Sequence, residues 1–286
     1  HGTCMTTLTH TTHLAARALA LLLTLAPVAG AQNRLDDLRP ERRYDAEVVA
    51  AIEKVHAARA EAFAKLATVQ TEPDTSGYDV LKYTIRLEPA FATRTIEART
   101  RVDARATAAI SSVDLDFVGF SISEVTVDGA PAEYARTNGT RVLRVTLPRA
   151  LAAGEEFSIE VEYAGSPTIE GGLGFGFTSE GAATFAEPEG ARLWFPSKDR
   201  PSDKAQYEGF ITVPVSLVAA SNGRLVERTE QNGRATYHWL ETHQITTYLI
   251  SLAISDYRVV EDAYGDMPIL HFVYPEVESD ARQDFS

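Results

Sequence analysis

Residues 96–106 read IEARTRVDARA, and their alternation decides the fold class. Ile96, Ala98, Val102 and Ala104 share one side of an extended chain, while Glu97, Arg99, Arg101 and Asp103 share the other. A period of two places successive side chains on opposite faces, the pattern of a strand with one dry and one wet face. The same period continues outward from this stretch. Tyr83, Ile85 and Leu87 alternate with Lys82, Thr84 and Arg86, and Val113, Leu115 and Phe117 alternate with Asp114 and Asp116. Leu143, Val145 and Leu147 repeat it, as do Phe157, Ile159, Val161 and Tyr163. Strands of this kind form antiparallel sheets with one solvated face. Asp128-Gly129, Asn138-Gly139, Asn222-Gly223 and Asn232-Gly233 can each supply the positive φ that a tight hairpin turn needs. Residues 249–254 and 269–274 are more continuously apolar and predict more deeply buried strands. Residues 78–275 therefore read as one large all-β body, an antiparallel β-sandwich.

The regions before this body have a different character. Residues 14–31, LAARALALLLTLAPVAGA, place Arg17 before an apolar run and end it with the small triplet Ala29-Gly30-Ala31. That order predicts that residues 1–31 comprise upstream residues, His1 to Cys4 before a start at Met5, and a secretory signal peptide cleaved before Gln32. The apolar run is shorter than the about 20 residues that span a bilayer, so an exported protein, periplasmic or extracellular, is expected rather than a membrane-anchored one. Between residues 44 and 66, Val48, Ile52, Val55, Ala62 and Leu66 recur at helical spacing. Residues 32–77 are expected to form a helical arm and linker, the breaker cluster TEPDTSG (71–77) closing it. Residues 276–286 turn polar and read as the start of a connection to a further domain.

Composition narrows the chemistry. The 286 residues carry 40 Asp+Glu against 27 Lys+Arg, a formal charge of -13. A protein that tracks nucleic-acid phosphates needs a basic surplus, so no nucleic-acid partner is expected. The single cysteine, Cys4, rules out a disulfide framework and a cysteine-based zinc site. The sequence has no HExxH motif and no GxSxG elbow. His238 and His243 lie five residues apart in a strand pattern, so their rings point to opposite faces and do not converge on a metal. The run Gly171-Gly172-Leu173-Gly174-Phe175-Gly176 lacks a following helix pattern and is expected to be a flexible loop rather than a phosphate cradle. Asn138-Gly139-Thr140 is a glycosylation sequon better explained as a turn.

One stretch concentrates ionisable and aromatic groups. Residues 184–205 read TFAEPEGARLWFPSKDRPSDKA, and Pro188, Pro196 and Pro201 prevent a continuous helix or strand. A rigid loop of this composition on a β scaffold is where a binding surface is expected. Within it, Arg192, Asp199, Asp203 and Lys204 are expected to brace the loop as ion pairs.

This stretch resembles the N-terminal domain of aminopeptidase N-like zinc metallopeptidases, which commonly read Q-x-E-P followed by A-R-x-x-F-P-C-x-D-x-P-x-x-K-A. FITVPVSLVAASNGRL (210–225), TYLISLAISDY (247–257), YDVLKYTIRL (78–87) and Val127-Asp128-Gly129 resemble further segments of that domain in the same order. The resemblance implies a saddle-shaped β domain that packs on a thermolysin-like catalytic domain. The zinc, HExxH and the GxMEN loop are expected in that catalytic domain, beyond these residues, and no cofactor in this chain. The chain alone is expected to be inactive, its partners being a peptide N-terminus and its own catalytic domain. By the same resemblance, Glu187 takes the place of the carboxylate that anchors the substrate α-ammonium. Phe185 stands where the family has Gln, implying a more apolar first-residue pocket, and Ser197 replaces a frequent Cys. Two other readings stay open: a stand-alone β-sandwich interaction module without catalysis, and an epoxide-hydrolysing relative of the same family.

Overall fold

The computed structural model describes residues 74–137, 139 and 141–285. The signal peptide, the helical arm and the sequon residues Asn138 and Thr140 lie outside the described residues, as does Ser286.

Eighteen strands are described in chain order. The first nine are β1 (Tyr78–Ala90), β2 (Thr95–Ala106), β3 (Ile110–Asp116), β4 (Ser121–Val127), β5 (Ala130–Pro131), β6 (Tyr134–Thr137), β7 (Val142–Leu151), β8 (Glu156–Gly165) and β9 (Ile169–Glu170). The rest are β10 (Leu173–Phe177), β11 (Gly181–Phe185), β12 (Lys204–Pro214), β13 (Val218–Ser221), β14 (Arg224–Gln231), β15 (Arg234–Thr246), β16 (Leu252–Ser255), β17 (Arg258–Tyr264) and β18 (Met267–Val273). One short helix, α1 (Glu278–Asp284), follows.

The frame is an eight-stranded sheet in the order β14-β15-β12-β1-β2-β8-β4-β5. Its dry face is the one the alternation specified: Ile96, Ala98, Val102 and Ala104 on β2 and Phe157, Ile159, Val161 and Tyr163 on β8 are buried. Thr100 interrupts the apolar row, and its buried hydroxyl is satisfied by a 3.2 Å hydrogen bond with the Tyr163 hydroxyl. That face shares one continuous core with a five-stranded sheet, β13-β16-β11-β10-β9, and a three-stranded sheet, β3-β7-β6. The result is a β-sandwich. Large aromatic side chains such as Tyr83, Phe117, Trp194 and Phe195 fill its middle, with edge-on packing of Tyr83 against Phe195 and Phe117 against Tyr163. Rings packed this way are worth about 0.5–1.5 kcal/mol per pair beyond the area they bury.

The structure departs from the sequence reading in four places. β1 pairs with β12 in parallel, Lys82 opposite Gln206, inside an otherwise antiparallel sheet. Alternation reports which face is dry and carries no information on strand direction. Asn222-Gly223 is not a hairpin: it carries the chain from β13 in the five-stranded sheet to β14 in the eight-stranded one. Asp128-Gly129 and Asn232-Gly233 do make the expected positive-φ hairpins, joining β4 to β5 and β14 to β15. The glycine run is not wholly a loop, since residues 173–177 form β10, paired with both β9 and β11. Gly174 sits there at φ +121, where an added Cβ would lie 2.4 Å from the Thr168 carbonyl oxygen. Finally, β18 is half-buried rather than deeply buried, and Leu249 is 47% exposed.

Candidate functional site

Residues 184–205 have little regular structure and are nevertheless mostly buried. Thr184 and Phe185 end β11, a single 3-10 turn covers Ala191–Leu193, and Lys204 begins β12. The backbone polar groups between these elements need partners, because burial without them is costly. Ser197 exchanges two backbone hydrogen bonds with Asp116, at 2.7 and 3.0 Å, at the end of β3. The Lys198 amide donates to the Tyr83 hydroxyl at 3.0 Å, and the Tyr163 hydroxyl donates to the Trp194 carbonyl at 2.9 Å. Tyrosines from the core thus replace the missing strand neighbours.

Two ionic clusters brace the loop. Arg192 Nε donates to Asp199 Oδ2 at 2.8 Å, and Arg192 also reaches Glu189 at 3.3 Å and Asp116 at 3.5 Å. The other Asp199 oxygen accepts from Thr247 Oγ1 at 2.9 Å. Burial alone would lower the Arg192 pKa, but Asp199 and Asp116 outweigh it and hold the guanidinium protonated. Burial raises the Glu189 carboxyl above its ordinary range.

The second cluster centres on Lys198, which is 3% exposed. Its Nζ donates to the Tyr78 carbonyl at 2.5 Å and pairs with Asp203 at 2.5 Å and Asp74 at 2.6 Å. Burial pushes the Asp203 carboxyl up to about 6, against the pull of Lys198. For Asp74 burial also acts upward, but the Lys198 hydrogen bond and the Ser76 donors win and lower it. The bracing expected of Arg192, Asp199 and Asp203 is therefore present. Lys204 is exposed at the start of β12, and the cation that holds Asp203 is Lys198 instead. Its sequence signal was only its place between Pro196 and Asp199.

Glu187 and Phe185 lie on the solvent-facing side of this braced segment. Both are half-buried, while Thr184, Ala186 and Pro188, which alternate with them, are buried. Phe185 sits opposite Gly174 at the end of β11, and a cis bond joins Glu187 to Pro188. The arrangement presents a carboxylate and an aromatic ring two residues apart on a fixed backbone. A carboxylate so placed can accept charge-assisted hydrogen bonds from an ammonium. The two histidines do different things: His238 Nε2 lies 2.7 Å from Glu208, and His243 Nδ1 lies 2.9 Å from Glu241. Among the described residues there is no group of three or more His, Cys, Asp and Glu side chains that could hold a metal ion. The zinc implied by the family does not fit residues of this region, and no catalytic step runs through it here.

Comparison with known proteins places this geometry. The chain is 28% identical over 195 residues to a leucyl aminopeptidase of Saccharolobus solfataricus, covering 67% of this chain and 24% of that protein. It is 27% identical over 180 residues to transcription initiation factor TFIID subunit 2 of Danio rerio, covering 60% of this chain and 14% of that one. Its fold matches the crystal structure of an M1 zinc metallopeptidase from Deinococcus radiodurans, a variant with a bound Tyr-Ser-Ala substrate. The TM-score is 0.61 at 26% identity, over 71% of this chain and 51% of that one. The chain thus spans about a quarter of the aminopeptidase and about half of the solved structure. Residues 79–249 match the peptidase M1 N-terminal domain, and the chain belongs to that family.

Proposed function

We propose that this chain is the substrate-binding and structural N-terminal region of an exported zinc metalloaminopeptidase, which removes N-terminal residues from peptides. The observation that carries the reading is the Glu187 segment. A half-buried carboxylate is held on a loop that two ionic clusters and three core tyrosines immobilise. Such a group rejects a blocked, neutral N-terminus, which cannot replace the ammonium it is placed to receive. Phe185 beside it favours an apolar first residue. Zinc and the hydrolytic groups belong to a catalytic domain that follows this region in the parent protein, and that domain is its partner. Export rests on the order of Arg17, the apolar run and Ala29-Gly30-Ala31. Amino-terminal sequencing of protein recovered from a secreting host is expected to begin near Gln32, and an intact Met5 start would oppose export.

The test of the site is Glu187→Gln in the parent protein with its catalytic domain. Replacing a charge-assisted hydrogen bond by a neutral one costs about 1.5–3 kcal/mol, roughly 10- to 150-fold in kcat/KM. The loss should fall mainly on KM if the ammonium is held equally in ground and transition states. Preference for free over N-acetylated peptides should shrink with it, at unchanged zinc content. Unaltered kcat/KM for free-amine peptides would reduce Glu187 to a loop carboxylate. A second reading has its own observation, the similarity to a protein named as a transcription initiation factor subunit. On that reading this chain's domain would serve binding without catalysis, and a parent protein lacking peptidase activity at full zinc loading would favour it.

A further inference from the structure

The wet face of the eight-stranded sheet carries charges in an arrangement that the fold does not need. In the β1–β2 register Arg86 stands directly opposite Arg99, and two residues along the same face Glu88 stands opposite Glu97. Like charges placed directly across a ladder destabilise it. Within the sheet each pair has one member neutralised. Arg99 reaches Glu160 at 3.4 Å and Glu162 at 3.2 Å, and Glu88 pairs with Arg234 at 2.8 Å. The other two members are left over. Among the described residues nothing accepts a hydrogen bond from Arg86, and no cation pairs with Glu97.

Arg86 is nevertheless held in place. Its guanidinium carbon lies 3.9 Å from the centroid of the Phe210 ring, and the His238 ring stacks on Phe210 at 4.2 Å and 15°. Phe210 lies between the two because β12 lies between β15 and β1. His238 is fixed in turn by Glu208, which also takes Lys82 at 2.6 Å. A guanidinium flattened on a ring keeps its N–H edge available, so a carboxylate meets a donor that has already lost much of its freedom. Arg86, Glu88, Glu97, Arg99, Phe210 and Thr212 line one groove of about 550 Å³ over the middle of the sheet.

We propose that this groove binds a free α-amino acid as its zwitterion, the carboxylate on Arg86 and the ammonium on Glu97. The two residues are diagonal across the β1–β2 ladder, about 7–8 Å apart at their Cα atoms. A ligand with both charges on one carbon bridges that span when Glu97 swings across β1 toward the guanidinium that Phe210 holds in place. A plain anion fits poorly, because Glu88, Glu97 and Glu162 share the groove and the chain carries a charge of -13. A plain cation meets Arg86 and Arg99. The site is separate from the Glu187 segment and stands whether or not the parent protein hydrolyses peptides.

The experiment is titration of the isotopically labelled 286-residue chain with L-alanine, followed by amide NMR, with N-acetyl-L-alanine and L-alaninamide in parallel. Saturable shifts along β1, β2 and β12 are expected for L-alanine, with both blocked forms at least tenfold weaker. Arg86→Gln, which shortens the side chain and removes its charge, and Glu97→Gln, which keeps the shape, both at exposed positions, should each weaken L-alanine at least tenfold. The proposal fails if L-alanine gives no saturable shifts on these strands, or if a blocked form binds as well as the zwitterion. It also fails if both variants bind like the unaltered chain.

Discussion

Residues 191–203 and the β17–β18 hairpin are opposites. The first has almost no repetitive hydrogen bonding, yet Trp194, Phe195 and Ser197 are fully buried and Lys198 and Asp199 nearly so. The second is a regular ladder of seven Cα pairs, yet Val260 is its one buried side chain and Tyr264 is 79% exposed. Regularity and burial are therefore separate achievements in this molecule. The irregular segment lies in the core because side chains of distant strands complete its backbone hydrogen bonds. The hairpin completes its own; Val260 is buried and Phe272 packs against Trp239 and Tyr257, while Val259, Tyr264, Met267 and Leu270 stay exposed.

The strongest way to break that contrast is to truncate a ring in the irregular segment. Phe195→Ala should cost about 3–5 kcal/mol of unfolding free energy, through lost burial and the cavity left behind. Urea denaturation gives the value directly, and a loss below about 1 kcal/mol would show that the segment relaxes as a surface loop does. Next comes Lys198→Met, which keeps the apolar stem and removes the buried cation from Asp203 and Asp74. Stranding a buried charge costs about 3–5 kcal/mol, but Asp203 can take up a proton and soften the loss.

The proton on Asp203 sharpens the comparison through pH. Its folded-state pKa is raised to about 6 from an ordinary 3.8. The folded chain thus binds the proton more tightly than the unfolded chain. Its contribution to stability is fully present below pH 3.8 and is lost as pH rises through about 6. Asp203→Asn removes that dependence, so the difference in urea midpoint between variant and parent should change with pH across this window and level off above it. A difference that stays flat from 3.8 to 6 would place the carboxyl in ordinary solvent. The smallest effect belongs to the hairpin. Met267→Lys and Leu270→Lys should each leave stability within about 0.5 kcal/mol while reducing self-association in light scattering, since an exposed apolar patch promotes contact.

The same contrast explains what the sequence made legible. Alternation located β1, β2, β3, β7 and β8 and their dry faces, because one sheet face is wet and the pattern of Ile96 to Ala104 has to follow it. The bulge between Val80 and Lys82, which shifts the phase of β1, leaves no comparable mark. Lys198 was not legible as a core residue: its partners are the Tyr78 carbonyl, 120 residues away, and a carboxylate whose position depends on the folded loop. For β18 the opposite error arises, since an apolar run reports the tendency to be covered and not whether a cover is present in this region. Glu187 and Phe185 were singled out by resemblance to a family, and their half-buried, alternating placement is what the structure adds. The Arg86–Glu97 groove was invisible in the sequence because register across the ladder, not order along the chain, brings those charges together.

The parallel pairing of β1 with β12 has a consequence for how the chain acquires its fold. Lys82 and Glu208, joined across that pairing, are 126 residues apart. As the chain emerges from its N-terminal side, β1, β2, β8 and β4 can assemble among themselves, but β1 is then an open edge. It remains so until residues 204–214 arrive, late in synthesis, to close it. Open edges recruit other strands, and pairings between distant segments form slowly. The most vulnerable moment of this protein is thus a half-built sheet with β1 at its margin, where Lys82, Arg86 and Glu88 keep the exposed edge charged while it waits for its neighbour.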